Sequence, residues 1–132
     1  MNYDTAIKTI RAFFATAWGN TTPVAYDDVS FTPPPQTYVR FNISHFDGFQ
    51  ASIGSPTNNR HRRVGLINAQ VFQPQGQASK DARLKADLIV SAFLGKDVSG
   101  ITFYDVQAKE IGNDGSYYQI NVLIYFRYDH IA

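Results

Sequence analysis

The chain has 132 residues, of which 44% are apolar and 17% charged; twelve Lys or Arg against eleven Asp or Glu give a formal net charge of +1. That length predicts a single domain over 1–132, able to bury roughly two-thirds of its unfolded surface without disulfide staples. Near-neutral charge removes any global pull towards nucleic acid. The absence of Cys removes disulfides, thiolate nucleophiles and cysteine metal sites, which leaves the cytoplasm as the easy compartment.

Residues 1–5 carry no basic stretch leading into an apolar one, so no secretory signal is expected. No apolar run approaches ~18 residues, so no membrane span is expected. Ten Phe, eight Tyr and one Trp are many for so few charges. Low charge with abundant Tyr describes a surface that partners cover.

In chain order, Asp4 or Thr5 offers a cap for a first helix running to Trp18. Its apolar stripe is Ile7, Ile10, Phe14, Ala17 and Trp18, and Gly19-Asn20 supplies the stop. A connector follows, with a short strand at 24–26. The prolines at 33, 34 and 35 enforce extended backbone after Phe31. Residues 37–44 alternate Val39, Phe41 and Ile43 with Arg40, Asn42 and Ser44, the pattern of a strand with one buried face. A bend at Asp47-Gly48 leads to a second strand at 49–53, turn residues fill 54–59, and a third strand spans 62–72, closed by Pro74 and Gly76.

Ser79 offers a cap for a second helix over 80–93, with Ala82, Ala86, Ile89 and Phe93 inside, Leu88 and Ala92 widening the stripe, and Gly95 ending it. A short apolar piece at 101–104 precedes a strand at 106–111, and Asn113-Asp114-Gly115 turns into the final strand. That strand, 117–128, sends Tyr118, Ile120, Val122, Ile124, Phe126 and Tyr128 to one side. Tyr117, Gln119, Asn121, Leu123, Tyr125 and Arg127 point to the other. The first side is wholly apolar or aromatic. The second is too sticky for a plain solvated face. The expected fold is therefore α+β: two helices packed on a largely antiparallel, mixed β-sheet with a long C-terminal β-hairpin. The subunit-interface candidates are Tyr117, Leu123, Tyr125 and Arg127.

Chemistry-bearing constellations are sparse. His45, His61 and His130 fall in three segments without metal-ligand spacing, so they read as scattered surface histidines and no metal is expected. Asp27 and Asp28 are neighbours that point apart and read as solvated turn carboxylates. Gly-x-Ser-x-Gly, P-loop and dinucleotide fingerprints are absent, so no enzyme activity and no cofactor are expected. The sharpest local feature is Arg60-His61-Arg62-Arg63, preceded by Asn58-Asn59. Without its three arginines, nine basic residues face eleven acidic ones, a formal −2. Positive charge thus gathers on one hairpin arm and its tip, as a mobile basic loop that docks on a partner.

Four stretches together resemble the tail terminator-like proteins of long-tailed bacteriophages. They are the opening helix; Phe31-Thr-Pro-Pro-Pro35 running into Tyr38-Val-Arg-Phe41; Arg60-His-Arg-Arg-Val-Gly-Leu66 with Val71-Phe72 and the second helix; and Asp114-Gly-Ser-Tyr-Tyr-Gln-Ile-Asn-Val122 with Phe126-Arg-Tyr-Asp129. The resemblance implies a non-catalytic virion protein, assembled in the host cytoplasm, at the tail end adjoining the neck. It implies a homo-oligomeric ring, usually a hexamer, that caps the tail tube protein, stops polymerisation and joins a neck or head-completion connector. Genome DNA would pass through without specific binding. Another head-tail connector is the alternative; a nucleic-acid module built on Arg60–Arg63 and a small hydrolase are remoter ones.

Overall fold

The computed structural model describes residues 2–27, 31–46, 49–50, 59–74 and 80–131. Helix α1 spans Tyr3–Trp18. Its N-cap is Asn2, whose side chain accepts from the Thr5 N–H at 2.8 Å, two residues before Asp4 and three before Thr5. Asp4 instead pairs with Lys8 along the exposed side. Ala6, Ile10, Phe14 and Trp18 form the buried stripe, and Ala17 is exposed. Gly19, at φ 57°, ends the helix by donating to the Ala15 carbonyl.

The strands are β1 (Val24–Tyr26), β2 (Tyr38–His45), β3 (Phe49–Gln50), β4 (Arg60–Pro74), β5 (Asp97–Val98), β6 (Ile101–Asp114) and β7 (Tyr117–Ile131), with helix α2 (Lys80–Phe93) between β4 and β5. They make one mixed sheet in the order β1-β2-β4-β7-β6-β5, with β3 paired to β4 off that path. The β1–β2 pair is parallel and the others are antiparallel. Asp27 is more than a solvated turn residue: its carboxylate accepts the Ile43 N–H at 3.2 Å, just beyond the end of β1. Asp28, the bend at Asp47-Gly48, residues 51–53 of the expected second strand, and Ser79 lie outside the described residues.

Two expectations change in the sheet. Residues 101–104 and 106–111 belong to one strand, interrupted by bulges between Phe103 and Asp105 and between Glu110 and Gly112. A bulge inserts an unpaired residue and breaks side-chain alternation, which is why β6 reads as two pieces in sequence. Second, Arg60–Arg63 is regular strand. β4 and β7 pair without a register shift from Arg60↔Ile131 to Pro74↔Tyr117.

Both helices pack on one face of this sheet. Val39, Phe41, Ile67, Ala69, Val71, Val122, Ile124 and Phe126 meet Ile10, Phe14, Ile89 and Phe93 there, all with no exposed surface. Phe14 stacks on Phe41 at 4.4 Å between centroids. Each such side chain contributes about 1.5–3 kcal/mol by leaving water. Leu88 does not widen the α2 stripe but is half-exposed on its outer side. The first turn of α2 is held by side chains from outside the helix. Fully buried Gln73 accepts the Ala82 N–H at 2.8 Å, and Thr37 donates its hydroxyl to Asp81 at 2.6 Å. Gly65 makes room for an aromatic: a Cβ there would sit 2.3 Å from Phe126 Cζ and 2.6 Å from the Ser44 carbonyl.

Candidate assembly surfaces

Period-two alternation assigns the other half of each strand to the opposite side of the sheet, and there the described residues place no helix. Register lays this face out in rows: Tyr38–Phe72–Gln119–Gly112, Arg40–Gln70–Asn121–Lys109, Asn42–Asn68–Leu123–Gln107 and Ser44–Leu66–Tyr125–Asp105. One end is an aromatic cluster in which Tyr38 stacks on Phe72 at 5.1 Å and meets Phe31 at 5.3 Å and Tyr117 at 5.7 Å. The other end joins Tyr104 to Tyr125, with the Arg127 guanidinium 5.5 Å from the Tyr104 ring centre. Amides fill the middle, where Gln119 donates to Asn121 at 2.7 Å. The Asn68 Oδ1 is buried there without a hydrogen-bond partner.

All four residues expected at a subunit interface share this face. Tyr117 lies in one aromatic group, Tyr125 and Arg127 in the other, and Leu123 between them. Tyr117, Leu123 and Tyr125 are only half-covered, and Arg127 is exposed. Sequence reading missed Phe72, Asn68 and Tyr104 as members. Alternation along 62–72 could have nominated the first two. Tyr104, nearly half-exposed, reaches this patch from a bulge that no spacing rule announces.

The basic stretch divides between the two faces. Arg62 and Arg60 lie opposite the end of β7, where Arg62 forks onto Asp129 at 3.0 and 3.4 Å and Arg60 reaches it at 3.6 Å. Hydrogen bonding from Arg62 holds the Asp129 carboxyl below its ordinary range. His61 and Arg63 alternate to the helix side, in register with His130 and Tyr128. Asn59 is half-buried; Asn58 lies outside the described residues.

Beyond the N-terminus of α1 the helix-side face continues as a cleft of about 380 Å³. Asn2 and Tyr3 line it from α1, His45 and Phe46 from β2 and its end, Arg63 from β4, and Tyr128 and His130 from β7. The histidines are therefore not scattered: two line one cleft, and the third opposes His130 in register. His45 Nε2 lies 2.8 Å from the Tyr128 hydroxyl, under the Tyr3 ring at 4.3 Å, and its Nδ1 is buried without a partner. Burial, then the nearby Arg63 charge, pushes the His45 imidazole below its ordinary value.

The cleft's described lining contains neither a Ser or Thr hydroxyl nor a carboxylate. Among the described residues no group of three His, Asp or Glu could hold a metal ion, and no helix is long and apolar enough to cross a membrane. What the surface offers is contact area: a broad aromatic and amide face, and one basic end.

This is the outline of a small α+β structural domain. A family model described as phage tail terminator protein matches residues 5–126, and the chain belongs to that family, as a structural protein of the phage tail. One solved chain, 16% identical, is similar over 95% of this chain and 96% of its own length with a TM-score of 0.70, which shows a shared fold. A chain from the virion of a native gene transfer agent particle is 20% identical over 94% of this chain and 91% of its own, with a TM-score of 0.47. No curated protein matches.

Proposed function

We propose that copies of this chain close into a ring, usually of six, which seats on the end of the tail tube, stops its growth and presents its other side to neck proteins. The observation that carries this is the uncovered sheet face. Tyr104, Tyr117, Leu123 and Tyr125 place rings and an apolar side chain on a face that no helix of the described residues covers. Face-to-side packing between identical subunits is a heterologous contact, and its rotation must close for a ring to stop at a fixed number. Family membership supports the capping role. The Asn58–Arg63 segment is the docking element for tube or connector in this reading, and DNA passes through the bore unread.

Incubation with purified tail-tube protein tests it. Electron micrographs should show tubes capped at one end and shorter than control tubes, with rings alone at high protein concentration. Unlimited tube growth in its presence would refute the capping role. Binding to head-completion components with no effect on tubes would favour the connector reading instead.

A further inference from the structure

We infer that the cleft between α1, β2, β4 and β7 receives a carboxylate from the docking partner: an acidic side chain or chain end flanked by an apolar group. This rests on the docking reading above and names its chemistry. Arg63 separates from its neighbours in a way that matters. Arg60 and Arg62 are engaged by Asp129 on the far face. Arg63 has no ion pair among the described residues and shares the cleft with His45 and His130.

Two further features converge on an anion. The positive end of the α1 dipole opens there, since Asn2 and Tyr3 line the wall. No carboxylate among the described lining residues competes for the arginine.

The walls decide between a protein carboxylate and a DNA phosphate. Tyr3, Phe46 and Tyr128 flank the charge, which suits an acidic residue with apolar surroundings. A phosphate backbone is held by a track of cations, each neutralising one charge. Here Arg60 and Arg62 are turned to the other face, where they share Asp129, so Arg63 is the one arginine lining the cleft and sits between rings.

The test is an NMR titration of the full chain, labelled at His and Arg, with N-acetyl-aspartate at near-neutral pH. Saturable millimolar binding should shift the His45 and Arg63 signals, and Arg63→Gln should weaken it about tenfold, the loss of one charge-assisted contact. Arg63→Lys should retain most of it. No saturable shift, or equal binding by Arg63→Gln, overturns the carboxylate site. So does a short DNA duplex that shifts the same signals at lower concentration with a steep salt dependence. Ring formation and tube capping by wild type are scored separately, so this proposal fails without the assembly reading failing.

Discussion

The two faces of one sheet are built from the same strands and differ in almost everything else. On the helix side, β4 and β7 contribute Ile67, Ala69, Val71, Val122, Ile124 and Phe126, each fully buried. On the far side the intervening residues are Leu66, Asn68, Gln70, Asn121, Leu123 and Tyr125, all half-covered. The first face is saturated by contacts within the chain. The second carries aromatic rings and amides that are incompletely used. Charge on that face sits on the flanking strands, at Arg40 of β2 and Asp105 and Lys109 of β6, and at the Arg127 end, leaving amides and rings along the middle of β4 and β7. The difference teaches where self-sufficiency ends and assembly begins.

The sharpest way to break this comparison is to place the same charge on adjacent residues of β7. Val122→Asp puts an unpaired carboxylate into the apolar layer, at a cost of several kcal/mol against a total of about 5–15 kcal/mol for a domain. The variant should be unfolded or insoluble by circular dichroism. Leu123→Asp should melt within a few degrees of wild type yet fail to form rings by light scattering. Equal unfolding by both would show that the far face belongs to the core.

Gly65→Ala tests how tightly the covered face is filled. Its methyl group meets both the Phe126 ring and the Ser44 carbonyl, so a loss of about 1–3 kcal/mol is expected in chemical denaturation. Phe126→Leu in the same chain should recover only the part owed to the ring, since the Ser44 backbone cannot retreat. A neutral Gly65→Ala would mean that the two strands separate easily at this end.

Gln73→Met addresses the buried amide on the same side. It fills similar volume but leaves the Ala82 N–H without its acceptor, a penalty of about 1–3 kcal/mol. Loss of hydrogen-exchange protection in the first turn of α2 should accompany it. An unchanged first turn would show that α2 is positioned by its apolar stripe alone.

Much of this architecture was legible because periodicity is local. Alternation in 117–128 identified both faces of β7, and the Ala82, Ala86, Ile89 and Phe93 spacing identified the inner stripe of α2. Leu88 is apolar, but at ~100° per residue it falls more than a quarter-turn away from the Ala82, Ala86, Ile89 and Phe93 stripe and is half-exposed. The other expectations that failed depended on partners far along the chain. The bulges at Tyr104 and Ile111 disrupt alternation, so one strand looked like two. Arg60–Arg63 has loop composition, yet strand pairing with β7 continues through it because neither partner needs to be apolar beyond the core. The histidine-lined cleft was invisible for the same reason. Only strand register brings residues 45, 63 and 130 to one place.

The smallest expected effect concerns pH, and it separates the cleft from the rest of the covered face. His45 is held below its ordinary value of 6.5, first by burial and then by Arg63, so the folded chain binds fewer protons there than the unfolded chain. Stability should therefore be complete above that value and decline as pH falls from it towards the depressed folded value. Among the described residues the groups facing His45 are Tyr3 from α1, Arg63 from β4, and Tyr128 and His130 from β7; none of these is an acid that would stabilise the imidazolium. Asp129 and Asp81 are lowered instead, by Arg62 and by the Thr37 hydroxyl respectively, so their contributions persist until pH falls through the carboxylate range. Denaturation midpoints should thus show two acid steps, and His45→Gln should abolish the upper one while sparing the lower. If the upper step survives that substitution, the imidazole under Tyr3 is not the group whose burial the fold resists protonating.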